Sequence, residues 1–121
     1  MHVRIVPPRP KIMEDYSKLK IYIAVLEDVP ASMVPVIVAH AVCPASLEWQ
    51  TDDVFKLWWA KSFKKVVVKV NAKEFSKLQQ LKHYAMRERT VLDEKDCCLV
   101  IHPRESLNPP NVLKFTKLWK P

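Results

Sequence analysis

The sequence predicts an α/β fold: a single three-layer α/β/α sandwich with a small mixed sheet. Three observations carry that expectation. KLKIYIAVLE (18–27) is apolar in both alternating registers, Ile21, Ile23 and Val25 against Tyr22, Ala24 and Leu26, as a strand covered on both faces should be. FKKVVVKV (63–70) is a second strand, rich in β-branched residues. Apolar residues at helical spacing fill the interval between the two and recur after the second, so helices interleave with strands and layer onto a sheet.

Residues 1–17 are expected to form a flexible tail, because Pro7, Pro8 and Pro10 cannot hold a helix and favour extended backbone. The domain then spans 18–121. After the first strand, Asp28-Val29-Pro30 turns the chain. Ser32 can cap a helix from Met33 to about Val42, with Pro35 in its first turn and Cys43-Pro44 to stop it. That helix is apolar all round and should be buried on most sides. A second helix starts at Thr51-Asp52-Asp53, where acids following a capping threonine complement the helix dipole. Val54, Phe55, Leu57, Trp58 and Trp59 give it a broad apolar face.

Asn71 and Glu74 form a capping-box-like start for a third helix running to about Met86. A hairpin follows, with strands RTVLD (89–93) and CCLVIH (97–102) joined by a turn at Glu94-Lys95-Asp96. Prolines 103, 109 and 110 bracket a loop, and NVLKFTKLW (111–119) closes the chain as a short helix and an extended tail. The order is β–α–α–β–α–β–β–α, with no repeat and no second domain.

Composition excludes several functions. With no glycine among 121 residues, neither a Walker loop nor a GxGxxG fingerprint can be built, since both need backbone to approach phosphate closely. Three cysteines, Cys43 and the adjacent Cys97 and Cys98, make neither a disulfide framework nor a metal-ligand spacing, which points to reduced thiols and a cytoplasmic setting. His83 and His102 have no Cys or His at ligand spacing, so no metal and no cofactor is expected. No apolar stretch approaches the ~18–20 residues of a membrane span. No apolar segment of a secretory signal precedes the domain either. The net charge of +7 favours an anionic partner.

KIYIAVLED (20–28), AHAV (39–42), KKVVVKVNAKEFSKL (64–78), CCLVIHP (97–103) and VLKFTKLW (112–119), in that order and spacing, resemble the peptidyl-tRNA hydrolase 2 family over nearly the whole chain. The resemblance implies a peptidyl-tRNA hydrolase 2-like fold and, if the chain is active, hydrolysis of the ester between peptide and tRNA. Family members that hydrolyse this ester place a lysine seven residues before the histidine of the first helix and a glutamine three before it. Met33 and Ile37 stand at those positions here, and Val29-Pro30-Ala31-Ser32 replaces a glycine-rich lead-in. Asp93 best matches the family's acid, and no threonine follows it before Phe115. Methionine carries no charge and isoleucine cannot orient a water. The expectation is therefore a divergent member whose hydrolase activity is weak or absent.

Candidate catalytic residues are Asp93 as the base that activates water, His40 as a proton shuttle, and Ser32 as a donor to the oxyanion. Each has a plainer reading: a solvated turn acid beside Glu94 and Asp96, a hydrogen-bonded core histidine, and a helix cap. For nucleic acid, Lys61, Lys64 and Lys65 flank the start of the second strand near Trp58 and Trp59, while Lys73, Lys77, Arg87 and Arg89 follow along the next helix and its exit. Such clusters neutralise phosphates and an exposed tryptophan stacks on a base. The alternatives are a solvated helix face and core tryptophans. The partners expected are tRNA or another anionic ligand. The alternative function is a non-catalytic module that binds a protein or a small anionic ligand through the cleft or a sheet edge. A homodimer is compatible with either.

Overall fold

A computed structural model describes residues 16–88, 95–105 and 111–120. The fold is mixed α/β. Its elements are β1 (Leu19–Leu26), α1 (Val34–Glu48), α2 (Asp53–Leu57) continued by a turn of π-helix (Trp58–Ser62), β2 (Lys64–Val70), α3 (Ala72–Leu78), β3 (His83–Glu88), β4 (Lys95–Glu105), α4 (Asn111–Lys114) and β5 (Lys117–Leu118). The expected tail overlaps a short 3-10 turn at Tyr16–Lys18; residues 1–15 lie outside the described residues.

Five strands form one sheet in the order β3-β4-β1-β2-β5. β1 runs parallel to β2 and antiparallel to β4; β4 is antiparallel to β3, and β2 to β5. β3 is thus parallel to β1 and β2. The β1–β2 connection moves one way across the sheet and the β2–β3 connection moves back, so right-handed crossovers place α1 with α2 on one face and α3 on the other. Burial agrees: every residue of β1 from Ile21 to Leu26 is buried, which requires cover on both faces.

α1 departs from expectation in four ways. It begins after Met33 with no side-chain cap, so Ser32 is not its cap. It continues through Pro44 to Glu48, because Ala45 and then Trp49 are buried beyond the proline and hold the last turns to the sheet. Pro44 cannot donate to the His40 carbonyl, a loss tolerated on an exposed side of the helix. Its burial is also one-sided. Val34, Ile37, Ala41 and Ala45 pack inward, while Val36, His40, Cys43 and Leu47 line the opposite, exposed side. His40 is therefore not a core histidine. Finally, Ala31–Glu48 is long and apolar enough, by length and composition, to cross a membrane, although its inner stripe is packed in the core.

Further on, Asp52 rather than Thr51 caps α2, accepting the Phe55 amide at 2.9 Å. The capping box at Asn71 and Glu74 is formed, with both reciprocal hydrogen bonds in place. The third helix ends at Leu78, not near Met86. His83, Ala85 and Met86 instead enter β3, so the hairpin begins earlier than the sequence suggests. Their apolar spacing fits a strand beside β4 as well as a helix, and backbone pairing decides. β4 continues past His102 through Pro103, because the β1–β4 register shifts there and a bulge accommodates the missing N–H. Cys97 and Cys98 are both buried in β4, between β3 and β1. The C-terminal segment adds β5 to the edge of β2 rather than trailing off.

Candidate nucleic-acid interface

The turn that joins α2 to β2 gathers rings and cations. Asp52 starts the helix, and Phe55 and Trp58 fall on its inner side, one turn apart. Trp58 is fully buried and its indole Nε1 donates to the Lys64 carbonyl at 2.8 Å, which fixes the start of β2 beneath it. Widening to π-helix pushes Trp59 outward, where it is 56% exposed instead of joining the core beside Trp58. Phe63 closes the turn in the left-handed region at φ 63°, a costly conformation for a residue with a Cβ. Its ring is 48% exposed and lies 5.2 Å from both Trp58 and Trp59. Ser62 Oγ donates to the Leu19 carbonyl and ties the turn to β1.

Three lysines surround these rings. Lys61, Lys64 and Lys65 are all exposed. The Lys65 ammonium sits 3.2 Å from the Phe63 centroid and 5.5 Å from that of Trp58, and it donates to the Phe63 carbonyl at 2.6 Å. Partial desolvation lowers its pKa from 10.5. Exposed rings such as Trp59 and Phe63 offer faces on which bases can stack, and the neighbouring ammonium groups supply the charge that phosphates need.

Trp59 also walls an open groove of about 430 Å³ between α1 and α2. Cys43, Ser46 and Leu47 line one side, and Phe55 and Lys56 the other, with Gln50 between them. The groove left little trace in sequence; exposed Leu47 and Cys43 follow from helical spacing only once the buried stripe of α1 is known.

Lys73 and Lys77 are exposed on α3, which follows the opposite end of β2 from Lys64. They line a second hollow of about 400 Å³ with Val112 and the exposed Phe115. On the adjoining edge Lys69 pairs with Lys117 across β2 and β5, both exposed, so two like charges lie side by side on one face of the sheet. No local pattern in the sequence marks Lys69 or Lys117, whose adjacency depends on β5 joining β2. Of the basic residues expected from sequence, Lys61, Lys64 and Lys65 thus lie about the start of β2, and Lys73 and Lys77 beyond its other end. Arg87 is placed only by its backbone, opposite Asp96 in the β3–β4 ladder, and Arg89 lies outside the described residues.

Of the candidate catalytic residues, only Ser32 and His40 are among the described residues, and the fold does not bring those two together. Asp93 lies outside the described residues. Ser32 and His40 are both exposed, and eight residues of helical rise at ~1.5 Å each keep them apart. A histidine–carboxylate pair does exist elsewhere. The bulge in β4 turns His102 toward α2, where its Nε2 is 2.8 Å from Asp52 Oδ1 and its ring meets Trp49 edge-on at 5.1 Å. Lys82 reaches Asp52 Oδ2 at 3.0 Å. Burial works to raise the Asp52 pKa, but the Phe55 amide, His102 and Lys82 outweigh it and hold the group down at about 2. His102 and Lys82 bind the cap of α2 to β4 and to the residue before β3, so the cluster braces the fold. No group of three metal-ligating side chains is found among the described residues.

Set against known protein families and curated proteins, the sequence matches none.

Proposed function

We propose that the chain is a divergent peptidyl-tRNA hydrolase 2-like protein that binds tRNA or another RNA-like polyanion, with hydrolase activity weak or absent. The observation that carries the binding half is the Trp58–Lys65 turn: two exposed rings, Trp59 and Phe63, set among the cations of Lys61, Lys64 and Lys65. The order of elements, β–α–α–β–α–β–β–α with an added edge strand β5, supports the fold half. The catalytic half is weakened by Ile37, which is buried against the sheet, and by Met33, which has no group able to hold an anion.

The test is incubation of the purified chain with a peptidyl-tRNA, following release of free tRNA beside an Asp93→Asn variant. The reading expects no turnover above the uncatalysed rate, together with salt-sensitive tRNA binding that falls when Lys61 and Lys64 become alanine. Turnover abolished by Asp93→Asn would make the chain an enzyme. Absence of both turnover and tRNA binding would favour the second reading, a protein-binding module. The exposed α1 stripe of Val36, His40, Cys43 and Leu47 is the surface that favours it.

A further inference from the structure

We infer that the groove between α1 and α2 is a pocket for one unpaired nucleobase, so that the nucleic acid this chain takes is single-stranded; the inference rests on the RNA-binding reading above. Trp59 belongs to two features at once. Its ring makes a T-shaped contact with Phe63 in the basic turn, and it also forms a wall of the groove. A strand whose phosphates follow Lys61 and Lys64 would bring its bases onto Trp59 and from there into the groove.

The groove suits a base by size, surface and charge. Its volume of about 430 Å³ lies within the range of roughly 300–1,000 Å³ usual for small-ligand sites. Leu47, Phe55 and Trp59 offer apolar and aromatic contact for the faces of a planar ring. The polar side chains of the lining are Ser46, Gln50 and Lys56. Gln50 carries an amide donor and acceptor able to meet the complementary edge of a base, and Lys56 brings a cation to the wall for the attached phosphate. Ser46 Oγ gives its proton to the Val42 carbonyl at 2.8 Å and keeps its acceptor capacity. An aliphatic side chain seated here would cover these polar groups without pairing them, at a cost that a base avoids. A base within a duplex is stacked and paired, and reaches such a pocket only after it is flipped out. No element of the groove selects one base over another.

Cys43 lies on the rim, exposed, while the other two thiols are buried, so a maleimide can be attached at the groove without disturbing the core. The experiment is fluorescence anisotropy of a labelled twelve-nucleotide RNA, alone or annealed to its complement, with the unmodified chain, the N-ethylmaleimide adduct and a Cys43→Ser variant exposed to the same reagent. One stacked base contributes ~1–3 kcal/mol, so the single strand is expected to bind about tenfold or more tighter than the duplex. The adduct should remove most of that preference and leave duplex binding as it was, while Cys43→Ser should keep the preference. Equal binding of single strand and duplex, or a preference the adduct leaves intact, overturns the base pocket while the RNA reading survives. No binding of either form at low salt overturns both.

Discussion

Trp59 meets Phe63 edge to face, with ring centroids 5.2 Å apart and planes at 78°, on the outside of a core whose inner wall is Trp58. Two adjacent tryptophans therefore have opposite roles. Trp58→Ala should cost about 3–5 kcal/mol, because it leaves a cavity under β2 and frees the Lys64 carbonyl. Trp59→Ala should change stability by less than about 1 kcal/mol, as exposed positions usually do, yet weaken single-stranded RNA binding about tenfold. Urea unfolding and anisotropy on the two variants separate the roles.

Phe63 supplies a second test of the same turn. Its left-handed backbone costs a residue with a Cβ about 1–2 kcal/mol, a cost glycine does not carry. Phe63→Gly should therefore be more stable than Phe63→Ala by about 1 kcal/mol, although alanine is ordinarily the more stabilising of the two residues. Both lose the ring contacts equally, so the difference in unfolding midpoint reports the backbone alone.

Much of this arrangement was legible in the sequence, and the failures have physical causes. β1 announces itself by double-sided apolarity and β2 by its run of β-branched residues, and the Asn71–Glu74 box fixes the start of α3. Pro44 misleads because burial of Ala45 outweighs one missing hydrogen bond. Met86 misleads because its spacing serves a helix and a strand alike. Trp59 could not be separated from Trp58 without the π-turn, which shifts the phase of the helix by one residue. The groove and the Lys69–Lys117 pair are products of tertiary contact, and no local pattern encodes them.

Asp52 predicts an acid dependence with a definite sign. Its pKa falls from 3.8 to about 2 on folding, so its charge stabilises the fold fully above the unfolded value and is lost as pH drops through the folded one. Asp52→Asn keeps a capping oxygen but removes the charge. The variant should be less stable than the parent at pH 7 by roughly 1–2 kcal/mol, after allowing for the exposed part of the carboxylate. The gap should shrink from pH 4 downward and close near pH 2, as read from urea midpoints across that range.

The thiols should divide one against two. Cys43 is exposed, whereas burial, together with the neighbouring Cys97, pushes the Cys98 thiol far above its ordinary value. A disulfide reagent at pH 8 should react with one thiol per native chain within minutes and with all three only in denaturant. Rapid reaction of more than one would mean that β4 opens readily between β3 and β1.

Salt dependence tests most directly the claim that the Trp58–Lys65 turn binds phosphates of a nucleic-acid strand. Affinity for a single-stranded RNA should fall linearly on logarithmic axes as salt rises, with each phosphate contact adding about 0.7 to the slope. Replacing Lys61 and Lys64 by alanine together should weaken binding and flatten the slope by about 1.4. An unchanged slope and an unchanged affinity in that variant would contradict the claim.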